Sequence, residues 1–228
     1  AVHPEDGHSV VRLRSLVANA VAASICPAPR VYTDHYYKRF LQFMDEPAIT
    51  SKDIVMLGNS LTEGGGDWSA RLGKKNVRNR GIIGDEVMGI YDRLHQILPG
   101  HPAKLFLLIG VNDISHNLTS DSIVSMIRMT VERIQKESPE TKLYLQSLLP
   151  FNESFGRYKN LAGKTDMVPE INASLEALAK EKGIAYIDLF PLFTEKGTNI
   201  LRSELTGDGL HLNEDGYKIW VKAIKKKI

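Results

Sequence analysis

A chain of 228 residues suits one domain with a substantial core, or at most two small ones. Its apolar fraction of 43% and charged fraction of 25% are ordinary for a globular protein, and a net charge of +2 is too balanced to argue for nucleic acid or an anionic membrane. Cys26 is the single cysteine, which excludes an intrachain disulfide, and no apolar run approaches the length of about 18 residues that predicts a membrane-spanning helix. A lone cysteine fits the cytoplasm as well as the periplasm or the exterior, so the compartment stays open, as does the oligomeric state.

The start at Ala1 reads as the product of processing or of an engineered truncation. Arg12-Leu13-Arg14 followed by Ser15 to Ile25 has a weak signal-peptide pattern, broken by Asn19. The preferred reading is an amphipathic helix or an appendage, and residues 1–50 are taken as an N-terminal extension packing on a domain at 51–228. From residue 51 strand-like and helix-like segments alternate. Ile54–Leu57 is an apolar first strand and the neighbourhood of Val77 a weaker second. Glu86–Leu98 is helical by the spacing of Val87, Tyr91, Leu94 and Leu98, with Asp85 as its expected cap. Leu105–Ile109 is strand three. Ser120–Glu137 is a long helix with Ile123, Ile127, Val131 and Ile134 on one face. Leu143–Ser147 is strand four. Asp166–Lys182 is a helix stopped by Gly183. Ile184–Leu189 is strand five. Glu214–Ile228 is a last helix burying Tyr217, Val221, Ile224 and Ile228, with Asn213 as its cap and Lys225-Lys226-Lys227 as a solvated end that suits the helix dipole. Apolar strands alternating with helices predict an α/β domain, a parallel sheet covered on both faces.

Three places carry chemistry. Gly58-Asn59-Ser60-Leu61 follows strand one, so Ser60 sits at a helix N-terminus where free N–H groups can stabilise negative charge on a reacting oxygen. A serine hydroxyl needs a base before it becomes a nucleophile. Asp208-Gly209-Leu210-His211 supplies a candidate base in His211 and a carboxylate in Asp208 to orient it. Gly110-Val111-Asn112-Asp113 follows strand three, and the Asn112 amide can donate to an oxyanion.

These segments, with Asn79-Arg80-Gly81-Ile82-Ile83-Gly84-Asp85, resemble the four blocks of the SGNH hydrolases, or GDSL esterase/lipase family, in the family's order over residues 53–228. The resemblance implies Ser60 as nucleophile, His211 as base, Asp208 as its partner, and an oxyanion hole formed by Ser60, Gly84 and Asn112. It implies neither metal nor cofactor. It fits a flavodoxin-like three-layer α/β/α sandwich with a five-stranded parallel sheet in the order 2-1-3-4-5, in which Ser60, Gly84 and Asn112 all leave the carboxyl ends of neighbouring strands. Asn59 stands where the family usually has Asp, at a position without a catalytic role. The second block lacks the threonines often found after Asp85, so the pocket floor is expected to differ in shape.

The implied activity is hydrolysis of a small-molecule ester through an acyl-serine. Short acyl groups, above all acetyl on carbohydrates, are preferred; platelet-activating-factor acetylhydrolase-like, lysophospholipase and thioesterase activities are alternatives, as is a non-catalytic flavodoxin-like binding module. No nucleic acid and no stable membrane insertion are expected. Gly64-Gly65-Gly66 lacks the Lys-Ser/Thr ending of a phosphate loop and is read as a flexible loop lining the site. Asn152–Lys164 is either a substrate-facing loop or a solvated insertion. His116 is a secondary candidate for touching substrate. The seven histidines show no metal-ligand spacing.

Overall fold

The computed structural model describes residues 30–228, of which Thr33–Ile228 form one compact unit. The segment Ser15–Ile25 lies outside the described residues. A helix α1 (Asp34–Asp45), capped by Thr33, opens the unit. It is fastened to α4 (Val87–Arg93) by the Tyr36 hydroxyl on the Gly89 carbonyl at 2.9 Å and to the end of β2 (Val77–Gly81) by Arg39 on the Gly81 carbonyl. Five strands form one parallel sheet in the order β2-β1-β3-β4-β5: β1 (Ile54–Gly58), β2, β3 (Lys104–Leu108), β4 (Lys142–Gln146) and β5 (Ala185–Ile187). The expected α/β sandwich and strand order are both present.

Period-two geometry divides the core between the two sheet faces. Val55, Leu57, Leu105 and Leu107 point to one side, where they meet α4, α6 (Ser120–Glu137) and α7 (Met167–Lys182). Ile54, Met56, Phe106 and Leu108 point to the other, where Trp68 and Trp220 pack on them from α3 (Trp68–Leu72) and α9 (Glu214–Ile224), with Phe193 of the short α8 (Phe190–Phe193) in the same cluster. The stripe Ile123, Ile127, Val131 and Ile134 is fully buried, as its spacing predicts. Asn213 caps α9 by accepting the Gly216 N–H at 3.1 Å.

Several elements are shorter than expected. The last helix ends at Ile224 and tightens to a 3₁₀ turn, and its buried face uses Trp220 where Val221 is only half buried. α4 ends at Arg93, followed by 3₁₀ turns at Leu94–Gln96 and Leu98–Gly100. The tighter turn keeps Leu94, Ile97 and Leu98 all inside. Asp85 does not cap α4 with its carboxylate. That carboxylate turns inward to Arg93, at 2.8 and 3.0 Å, and the α4 N-terminus is met instead by Asp113, which accepts the Val87 N–H at 3.2 Å.

Candidate active site

The register aligns Gly58 of β1 with Gly81 of β2 and with Leu108 of β3, so three strand ends open at one level. Ser60 begins the short helix α2 (Ser60–Glu63), Gly84 lies in the loop after β2, and Asn112 lies in α5 (Val111–Ser115) after β3. Gly58 has to be glycine, because a Cβ there would collide with the Thr62 hydroxyl and the Leu108 carbonyl. Gly84 has φ +80°, a left-handed conformation that glycine adopts without strain.

His211 and Asp208 arrive from the loop before α9. The two oxygens of Asp208 have separate partners. Oδ1 accepts the Leu210 and His211 backbone N–H groups at 2.9 and 2.8 Å, which folds the Asp-x-x-His segment into a turn. Oδ2 lies 2.7 Å from His211 Nδ1. With Nδ1–H donated to the carboxylate, Nε2 carries its lone pair toward the Ser60 hydroxyl, 2.9 Å away. Ser60 is 7% exposed, so its hydroxyl is reached only through the cavity above it. Burial opposes ionisation of Asp208, but donors from the His211 ring, the two backbone groups and Tyr158 hold its carboxyl well below the usual carboxylate range. Because the folded group ionises more readily than the unfolded one, these bonds add stability above the ordinary carboxylate range and lose it as pH falls through and below that range.

A cavity of about 500 Å³ is lined by Ser60, Gly84, Asn112 and His211 together. Asn112 Nδ2 donates to the Asp85 carbonyl at 2.8 Å. An amide nitrogen carries two hydrogens, so this bond orients the group and leaves one N–H for the cavity. The Ser60 and Gly84 backbone N–H groups make no hydrogen bond among the described residues. Asn59 accepts the Leu61 N–H at 3.0 Å and caps α2, a duty that Asn and Asp discharge equally.

Behind the cavity a buried ion pair ties its parts together. The Arg93 and Asp85 side chains are fully buried, and Arg93 also donates to the Gly58 carbonyl at 3.1 Å. One guanidinium thus links the loop holding Gly84 to the turn holding Ser60. Burial pushes Asp113 up to about 7, helped by the charge of Glu86 and opposed by the Val87 N–H. The folded state therefore holds that proton more tightly, and this group's contribution to stability falls as pH rises from the ordinary carboxylate range to about 7.

The structure separates the secondary candidates. The Asn152–Lys164 loop faces the cavity through Arg157, Tyr158 and Leu161. His116 does not line it; its Nδ1 pairs with Glu86 at 2.6 Å on the exposed surface. Nor do the three glycines after α2 line it. Gly64 packs under the Tyr217 hydroxyl and Gly65 against the Trp68 ring, where no larger residue fits. Tyr158 is the participant that sequence reasoning missed. Its hydroxyl donates to Asp208 Oδ2 at 2.9 Å and lies 3.1 Å from His211 Nδ1. The Asn152–Lys164 loop was open to a substrate-facing role or to a solvated one, and nothing local indicated this partner. Among the described residues, no group of three or more His, Cys, Asp or Glu is placed to hold a metal ion, and no helix is long and apolar enough to cross a membrane.

A hydroxyl, an imidazole and a carboxylate in line, beside backbone and amide donors at the ends of parallel strands, is an arrangement suited to acyl transfer. The chain belongs to the GDSL-like lipase/acylhydrolase family, whose model matches residues 56–219, and it is accordingly an ester hydrolase. Among solved structures, a Streptococcus pneumonia protein whose name refers to platelet activating factor aligns with a TM-score of 0.77 at 22% identity, over 95% of this chain and 98% of its own. A GDSL-like lipase from Bacteroides thetaiotaomicron aligns with 0.73 at 24% identity, over 84% and 96%. An acetyl xylan esterase aligns with 0.63 at 20% identity, over 77% and 99%. At such identities the likeness is one of fold. No curated protein matches the chain.

Proposed function

We propose that this chain removes short acyl groups, foremost acetyl, from carbohydrate esters through an acyl-serine on Ser60. The carrying observation is the unbroken series Asp208 Oδ2, His211 Nδ1, His211 Nε2 and Ser60 Oγ, with contacts of 2.7 and 2.9 Å. His211 takes the Ser60 proton as the hydroxyl attacks the carbonyl carbon. The oxyanion is held by the Ser60 and Gly84 N–H groups and by Asn112. His211 then protonates the leaving alcohol and afterwards activates water, which releases the acid and restores the serine. Asp208 orients the ring and offsets the charge it gains.

The preference for a short acyl group is supported by the cavity wall. Its apolar side chains are few, Ile83, Leu161 and Leu210, amid polar neighbours such as Asn160 and Ser115. One structural relative is an acetyl xylan esterase, and another an acetyl-xylooligosaccharide esterase. On nitrophenyl esters, kcat/KM is expected to fall steeply beyond about four carbons, whereas a cleft that accepted longer chains would gain about 0.8 kcal/mol per buried methylene. Activity rising out to octanoyl esters would replace this reading with a lipase.

Tyr158 acts as a positioning residue for the imidazole and carboxylate. Its hydroxyl draws charge from Asp208 and so weakens that carboxylate's hold on the protonated ring. Loss of the hydroxyl strengthens the hold, and a ring that keeps its proton longer needs a higher pH to act as base. The lost hydrogen bond is one to an ionised carboxylate, so Tyr158→Phe should move the acid limb of the kcat/KM profile upward. A uniform loss of rate at every pH, with the midpoint unmoved, would reduce Tyr158 to a packing role.

A further inference from the structure

Arg157 differs from the other arginines around it. Those from Arg39 to Arg133, and Arg202 beyond, each lie within ion-pair distance of a carboxylate. Arg157 has no carboxylate partner among the described residues, nor has Lys159, and both line the cavity above Ser60. Asp208 beside the cavity is already engaged by two backbone N–H groups, the His211 ring and Tyr158, and Glu153 of the same loop accepts the Gly163 N–H. Lys164, further along the same loop, spends its ammonium on neutral oxygens of Ile114, Asn117 and Asn160, so its charge is not cancelled either. On either side of Lys159 the loop is held by Tyr158 on Asp208 and by Leu161, which is buried in the core. Between and beside these anchors, Arg157 and Lys159 are presented to the cavity. No Asp or Glu lines it.

We propose that Arg157, assisted by Lys159, binds an anionic group on the alcohol part of the ester, and that the substrate is an O-acetylated acidic sugar bearing a carboxylate. This rests on the esterase reading above and narrows it. A planar guanidinium pairs with a carboxylate through two parallel hydrogen bonds. The neutral polar groups beside it, Asn160 and Ser115, suit sugar hydroxyls.

The test compares mono-O-acetyl glucuronic acid with mono-O-acetyl glucose. The acidic ester should be preferred in kcat/KM by about 10- to 100-fold at low ionic strength, the range expected of hydrogen bonds to a charged group. Added salt should shrink that preference. In Arg157→Ala/Lys159→Ala the ratio should fall to near one, and Arg157→Lys should keep part of it. A wild-type ratio near one, with Ser60 still labelled by a fluorophosphonate, would overturn the anion site and leave the esterase reading standing. A ratio that survives in the double variant would overturn it as well. Faster cleavage of a lysophospholipid than of the acidic sugar ester would overturn the sugar assignment in favour of a phosphate. No cleavage of any ester, together with no labelling of Ser60, would remove both readings.

Discussion

Ser60→Ala should lower kcat by about 10³-fold or more, leaving only what the oxyanion donors and substrate binding supply. In the proposed mechanism the hydroxyl forms the covalent bond, and the imidazole that would activate it stands with Nε2 2.9 Å away. The fold should survive. The helix α2 is capped by Asn59 through the Leu61 N–H, and the Gly58 turn is held by Arg93, so neither support passes through the Ser60 side chain. Thermal unfolding of the variant should therefore stay close to wild type while a fluorophosphonate no longer labels the chain. Retention of more than about a tenth of the activity would sink the assignment, because the losses measured for nucleophiles of this kind are orders of magnitude larger.

Asn112→Ala should cost about 10²–10³ in kcat, with a smaller effect on KM, because the role proposed for its free N–H is to meet a charge that exists mainly in the transition state. This substitution has a second consequence visible in the geometry. The other amide hydrogen is donated to the Asp85 carbonyl, one residue beyond Gly84. Losing it loosens the loop that carries another proposed donor, so the two members of the hole are coupled and their losses should not simply add. Asn112→Asp should be at least as damaging, since it puts a negative charge beside the developing oxyanion. If Asn112→Ala raised KM with kcat intact, the residue would bind substrate, and the hole would consist of backbone groups alone.

The coupling runs deeper than the cavity wall. Asp85, Arg93 and the Gly58 carbonyl form one buried chain, and Asp113 meets the α4 N-terminus within the same layer. The strand ends determine where Ser60, Gly84 and Asn112 stand, and this layer limits how far they can move relative to each other. A rigid supporting layer is what allows hydrogen-bond donors to be poised before charge develops, without reorganisation during the reaction.

The sequence by itself determined the parallel sheet, the long helices and the residues at three strand ends. Those features are local: runs such as Leu105–Ile109, the stripe from Ile123 to Ile134, and a serine or asparagine directly after an apolar strand. The same local signals misled where a side chain had a stronger distant partner. Asp85 stands one residue before the α4 cap position, yet a guanidinium eight positions along claims its carboxylate. The glycines after Ser60 suggested a flexible loop lining the site, but Tyr217 and Trp68 fill the space beside Gly64 and Gly65. Only the tertiary structure decided that His211 reaches Ser60 across 151 positions, and that Tyr158 joins them from a loop 50 positions before Asp208. Such contacts depend on how β1, the loop after β4 and the turn before α9 come together in space, and hydrophobic periodicity says nothing about which loops converge. For the same reason the unpaired charge of Arg157 is invisible in the sequence: whether an arginine has a carboxylate beside it is a property of the fold.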